Sequence, residues 1–180
     1  KIGLIGVGSI GSLVAEKLRA NDVQVLYYDP FLPAERAEEL GIHDADLEEI
    51  FSTCDVISNH LANKEELTGI LSGALFDKMK PYATFINTGR GRQVDEKGLA
   101  RAMKKVKTRT ALLDVTTREP APPLGRLARC GNIILTPHIA GSNGREVVRM
   151  AQFMLEEAAR VENGEPPLYE VLPDMLQTMA

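Results

Sequence analysis

Tryptophan is missing from this sequence of 180 residues, Phe and Tyr together reach only 5%, and there are three histidines and two cysteines. Each scarcity excludes something. Cys54 and Cys130 have neither the number nor the CxxC spacing of a disulfide framework or a zinc site, and in apolar surroundings they read as buried free thiols of a reducing compartment. Lysine and arginine gather into no block, and 25 acidic side chains outnumber 21 basic ones, for a formal net charge of −4. That balance argues against a binder of phosphate backbones, so nucleic acid is not an expected partner. Long apolar runs are also missing. The charge-free stretches 2–15 and 130–144 are broken by Gly, Asn or His and fall short of the roughly 20 apolar residues needed to cross a bilayer, so no membrane partner is expected. No leader precedes the first strand-like residues, and the expected location is the cytoplasm. Lys1 stands where a Met would, and the chain reads as cut from something longer.

Apolar residues at 44% and charged residues at 26% are the mix of a folded domain with a sizeable core. Their arrangement alternates between short β-rich runs and amphipathic helical runs, the pattern of βαβ units and a mainly parallel sheet. Strands are predicted at 1–5, 23–28, 55–60, 83–87, 110–115 and 132–136. Helices are predicted at 9–19, 34–40, 46–51, 72–79, 95–105 and 145–161. Asp46 and Asp95 are placed to cap two of them, and Val148, Met154, Leu155 and Ala158 would give the last one an inward stripe. Three prolines make 116–123 a loop. The expected architecture is α/β: a Rossmann-type, doubly wound sheet with helices on both faces, formed by residues 1–165.

Gly6-Val7-Gly8-Ser9-Ile10-Gly11 matches GxGxxG between a strand and a helix, the context in which that motif cradles a diphosphate. Gly6 permits the tight turn, Gly8 lets backbone approach the phosphates, and Gly11 lets the helix pack on the strand. The helix start near Ser9 aims N–H groups and the positive dipole end at the same place. Asp29 ends the second strand, where a carboxylate can accept hydrogen bonds from an adenosine ribose and repel a 2′-phosphate. Pro30 follows it, not an arginine, so NAD is the expected cofactor.

Ligands of open α/β sheets sit outside the carboxyl ends of the strands, and three charged or titratable groups fall there. Arg90, between Gly89 and Gly91, can reach a carboxylate through two parallel hydrogen bonds. Glu119 lies in the proline-rich loop. His138 follows Pro137 after the last strand and is suited to proton transfer near neutrality, and a carboxylate beside it would fix its orientation. His43 is read as a structural loop residue. His60 ends a strand on the same rim, where lining the cleft and packing the strand end are equally open.

Together the glycine turn, Asp29, Asn87-Thr88-Gly89-Arg90-Gly91 with Val94-Asp95-Glu96, Leu113-Asp114-Val115 with Glu119-Pro120, and Thr136-Pro137-His138-Ile139-Ala140-Gly141 resemble the D-isomer-specific 2-hydroxyacid dehydrogenases, the phosphoglycerate, glycerate/hydroxypyruvate and formate dehydrogenases among them. The resemblance runs along nearly the whole chain. It implies that Arg90 binds and polarises a 2-oxo acid, that His138 is the acid/base and that Glu119 is its partner. It implies that backbone at Ser9 and Ile10 holds the diphosphate. It also implies that Leu61, Thr88 and Gly89 line the nicotinamide side, that Asp114 meets the carboxamide, and that Arg90, His138, Ala140 and Gly141 add cofactor contacts. A homodimer is implied too. Ala62 stands where the family usually has proline, which leaves the loop 62–66 less constrained. The tail 166–180, with Leu168, Val171, Leu172 and Leu176, resembles the start of a C-terminal return to a substrate domain that the chain lacks. The rival reading is an NADH-sensing regulator like the transcriptional corepressors that share these residues.

Overall fold

The structure, a computed structural model, describes residues 1–177. These fall into two compact units, Lys1–His138 and a second that begins at Ile139.

In the first unit seven short strands alternate with helices: β1 (Ile2–Ile5), α1 (Ser9–Leu18), β2 (Val25–Tyr28), α2 (Ala34–Leu40), β3 (His43–Asp44), α3 (Leu47–Thr53), β4 (Val56–Asn59), α4 (Gly73–Lys78), β5 (Thr84–Asn87), α5 (Glu96–Lys105), β6 (Thr110–Leu113) and β7 (Ile133–Leu135). Every neighbouring pair of strands is parallel, in the order β3-β2-β1-β4-β5-β6-β7. Strand alternation divides the core between the two faces of the sheet. Leu4, Val25 and Tyr27 pack with Ala15, Ala37 and Leu40 on one side. Ile5, Leu26, Ile57 and Phe85 pack with Phe51, Phe76 and Leu99 on the other. On that second face Phe76 meets Phe51 and Phe85 edge to face, with ring centroids 5.3 and 5.0 Å apart. Both cysteines are free and buried.

Capping follows the sequence. The Asp46 carboxylate accepts from the Glu49 N–H at 2.7 Å, and that of Asp95 accepts from the N–H groups of Lys97 and Gly98. His43 lies in β3, where a loop and six strands are expected. Two residues are too few to show a period of two, and β3 forms only because β2 offers it Leu26 and Tyr27 as partners.

The second unit holds α6 (Arg145–Glu162) and a 3-10 turn at Pro173–Gln177. Val148, Met154 and Leu155 are exposed here, which corrects the inward stripe: no residue of α6 is buried. Its apolar residues, Val147, Met150 and Val161 included, gather on one side of the helix, but one helix followed by a short turn cannot enclose a core of its own. Of the tail 166–180, residues 178–180 lie outside the described residues. Among the described residues no helix is long and apolar enough to cross a membrane.

Candidate active site

The strand order reverses between β1 and β4, and the turn after β1 sits at that crevice. Gly6 takes φ +86°, and a Cβ there would come within 2.8 Å of the His60 backbone, so the turn can only be glycine. A Cβ on Gly11 would stand 2.2 Å from the Gly6 carbonyl, whereas one on Gly8 would point into open space. The cradle therefore closes behind Gly8 and opens in front of it. No side chain caps α1 and its first turn carries no acidic residue. The first N–H groups of a helix have no acceptor within it, so those of Ser9 and Ile10 face the space before Gly8. This donor set fits a diphosphate.

Asp29 ties that turn down. Its Oδ2 accepts from the Val7 N–H at 2.7 Å and its Oδ1 from the Phe31 N–H at 2.9 Å. A carboxylate has about four lone-pair sites, so two remain for ribose hydroxyls. His60, half-buried beside the turn, shares a 2.9 Å hydrogen bond between its Nε2 and the Ser58 hydroxyl, and burial pushes its pKa below the ordinary value. The bond to Ser58 ties the imidazole to its own strand end.

Beyond β4, the ends of β5, β6 and β7 carry the other candidates. The Asp114 N–H donates to the Asn87 carbonyl at 3.0 Å, and the Thr136 hydroxyl donates to the Asp114 carboxylate at 2.5 Å. The His138 N–H donates to the Asp114 carbonyl at 2.9 Å, and His138 itself has φ +54°, a left-handed backbone uncommon outside glycine. That conformation turns the imidazole toward the proline-rich loop, where its Nδ1 lies 2.7 Å from Glu119 Oε2. Glu119 Oε1 accepts from the Thr116 N–H at 3.2 Å. The hydrogen bond to His138 holds the Glu119 carboxyl below its usual range, and the Arg90 charge adds to the effect. Arg90 reaches this neighbourhood because Gly91 lies flat on the same loop: a Cβ on Gly91 would stand 2.0 Å from the Thr116 backbone. Asp114, Glu119, Pro120, Thr136, Pro137 and His138 border an open cavity of about 380 Å³.

The predicted residues thus form two groups on one rim. Gly6, Gly8, Ser9, Ile10, Gly11 and Asp29 make the first; Arg90, Asp114, Glu119 and His138 make the second. Thr88 is exposed and Gly89 buried on the turn that leads into Arg90, and Leu61 is half-buried after β4. Ala140 and Gly141 belong to the second unit. The sequence reading missed Asn59, Gln93 and Thr136. The signal for the first was available, since β4 and β5 both end on an asparagine. The loop 62–66 is better held than Ala62 implies: the Gln93 amide donates to the Ala62 carbonyl at 2.7 Å. Among the described residues no cluster of His, Cys, Asp or Glu could hold a metal ion.

An all-parallel sheet in this order, with a glycine turn at its crossover, defines a dinucleotide-binding domain. Residues 1–140 match the model of the D-isomer specific 2-hydroxyacid dehydrogenase NAD binding domain, and the chain belongs to that family. It is 35% identical over 164 residues to the D-3-phosphoglycerate dehydrogenase of Archaeoglobus fulgidus, covering 91% of this chain and 31% of that protein. It is 33% identical over 166 residues to the glyoxylate reductase of Korarchaeum cryptofilum, covering 92% and 50%. Among solved structures, D-lactate dehydrogenase with NAD+ from Lactobacillus jensenii superposes with a TM-score of 0.79 at 31% identity, over 95% of this chain and 55% of that one. The chain spans about a third to a half of the length of the curated relatives it matches. These relatives are oxidoreductases by name, which leaves the regulator reading without support.

Proposed function

We propose that this chain is the cofactor-holding part of an NAD-dependent D-2-hydroxyacid dehydrogenase, interconverting a 2-oxo acid and its D-2-hydroxy acid. The observation that carries the reading is the Glu119–His138 pair at 2.7 Å on the rim of a cavity it shares with Asp114, with Arg90 close enough to act on Glu119.

Each residue has a chemical task. The N–H groups at Ser9 and Ile10, with the open face of Gly8, hold the diphosphate, while Asp29 accepts from the adenosine ribose. Leu61, Thr88 and Gly89 border the nicotinamide and Asp114 receives its carboxamide, with Ala140 and Gly141 read as further cofactor contacts. When bound, the nicotinamide supplies or accepts a hydride. Glu119 engages Nδ1 of His138, which leaves Nε2 to give a proton to the carbonyl oxygen of the oxo acid or take it back from the hydroxyl. Arg90 grips the substrate carboxylate in its planar fork and stabilises charge on the oxygen as it develops.

The remaining parts of the reading rest on the sequence: a cytoplasmic protein with residues 1–165 as the nucleotide domain, and, from the resemblance, a homodimer whose tail from 166 leads back to a substrate domain. Its partners are then small acids, not nucleic acid. Steady-state assays of the full-length protein with NADH against a panel of 2-oxo acids test the activity, and sedimentation tests the dimer. His138→Ala should lower turnover by about 10²–10⁴-fold while NADH affinity stays within about twofold. Unchanged turnover would overturn the acid/base assignment.

A further inference from the structure

Three amide side chains lie beneath the Arg90 turn, and none of them is exposed. Asn59 ends β4, Asn87 ends β5, and the two stand opposite each other in the parallel register. Gln93 reaches in from the 3-10 turn Gly91–Gln93 that follows Arg90. All three have 0% relative exposure.

Every side-chain nitrogen and oxygen of the three has a partner. The Asn59 Nδ2 group donates to Asn87 Oδ1 at 2.9 Å and to Gln93 Oε1 at 2.8 Å. The Asn59 Oδ1 accepts from the Leu61 N–H at 3.3 Å. Asn87 Oδ1 also accepts from the Gly89 N–H at 3.0 Å, and its Nδ2 donates to the Arg90 carbonyl at 3.3 Å. Gln93 Oε1 accepts from the Arg90 N–H at 3.2 Å, while its Nε2 donates to the carbonyls of Leu61 and Ala62 at 3.3 and 2.7 Å. Both amide hydrogens of Asn59 and both of Gln93 are therefore used. Gly89 covers the cluster from above, for a Cβ there would come within 2.8 Å of Asn59 Nδ2 and 3.1 Å of Gln93 Oε1.

Burying three amides is unfavourable unless every polar atom is satisfied, and a satisfied network admits only one arrangement of the groups it joins. The groups joined here are the backbones of residues 89–90 on one strand end and 61–62 on the next. We propose that Asn59, Asn87 and Gln93 form a buried clasp whose task is positioning: it holds the Arg90 turn and the loop after β4 in a single relative register, so that the guanidinium meets a substrate carboxylate without a search. They touch neither substrate nor cofactor. An equivalent apolar filling would pack the same space but leave the two loops free to shift against each other. The inference rests on the dehydrogenase reading for what the register serves, and on the hydrogen bonds for the register itself.

The test uses the full-length protein and the variant Gln93→Met, which keeps the length of the side chain and removes its hydrogen bonds. Three quantities are measured: amide hydrogen exchange of peptides covering 60–66 and 88–94 against one covering β1, the NADH dissociation constant, and the dissociation constant of oxamate, an unreactive 2-oxo acid analogue, in the presence of NADH. The clasp predicts at least tenfold faster exchange in 60–66 and 88–94 with β1 unchanged, NADH binding within about threefold, and oxamate binding weakened at least tenfold. A lower melting temperature with unaltered exchange and unaltered oxamate affinity overturns it, because the amides would then merely fill the core. If Gln93→Met does not fold, Asn59→Ser, which keeps a hydroxyl for part of the network, must show the same pattern at smaller amplitude, and its failure to do so overturns the clasp. A wild-type protein that binds NADH but neither oxamate nor any 2-oxo acid overturns the dehydrogenase reading instead, and the exchange of 60–66 and 88–94 still decides whether the clasp exists.

Discussion

Asp29 and His60 meet at the same turn and answer to different physics. Asp29 accepts from two backbone N–H groups, so replacing it both frees the Val7 turn and removes the ribose acceptor. Asp29→Ala should weaken NADH binding about tenfold or more, the equivalent of one charge-assisted hydrogen bond, and narrow the preference over NADPH in fluorescence titrations. Equal or tighter binding of NADPH by the unaltered protein would remove the role given to Asp29. His60 is kept neutral by burial, with a pKa below the ordinary 6.5. The unfolded chain therefore takes up a proton in a range where the folded one does not. By linkage, stability falls as pH drops below about 6.5. His60→Gln, which retains an amide near the Ser58 hydroxyl, should flatten that fall between pH 6.5 and 5, a window above the titration of most carboxyls. An unchanged slope in urea melts across this window would show that His60 is not its source.

Helix α4 is short, and its carboxyl end depends on a residue from the strand side of the sheet. Arg109, only 5% exposed, donates through Nε to the Lys80 carbonyl, through Nη1 to that of Phe76, and through Nη2 to those of Asp77 and Met79. Last-turn carbonyls need partners, and a guanidinium supplies five N–H donors from a single side chain. Arg109→Met fills a similar volume and takes this donor from all four carbonyls, of which Phe76 and Lys80 keep the N–H groups of Met79 and Ala83. The expected cost is about 3 kcal/mol, which in a chain of this size lowers the melting temperature by roughly 10 °C. A fall of less than about 2 °C in a thermal scan would mean that water replaces the arginine. The glycine turn and α1 are coupled in the same local way. Gly11→Ala would drive a methyl into the Gly6 carbonyl and displace the helix start that the diphosphate needs, so NADH affinity should fall more steeply than stability.

Burial is distributed unevenly over the chain. The two faces of the sheet hold the buried apolar side chains, whereas α6 has none. Local opening is easiest where few apolar contacts resist it. Hydrogen exchange of this chain should therefore label Arg145–Glu162 before β1, β4 and β5; equal protection of α6 would show that it is covered. The fold was largely legible in advance because strands of parallel sheets are short apolar runs, helices have a 3.6-residue period, and Gly and Pro mark the joints. β3 was not, since a two-residue edge strand exists only through its partner. The stripe on α6 was misread because a hydrophobic pattern says which residues prefer burial, not whether a surface is there to bury them. Asn59 and Gln93 were passed over because an amide at a strand end looks the same in sequence whether it faces water or a matched donor.

What the linear order of residues determined alone is the set of local conformations: glycines where a Cβ collides, aspartates at helix starts, prolines in the loop before His138. These depend on neighbours within a few positions, so they can be read directly. The distances that matter to chemistry span much longer separations. Glu119 meets His138 across 19 residues, and Asn59 meets Gln93 across 34. Such contacts exist only after the sheet has set β4, β5, β6 and β7 side by side, because register between strands, unlike a helical turn, is decided by partners far away in the chain.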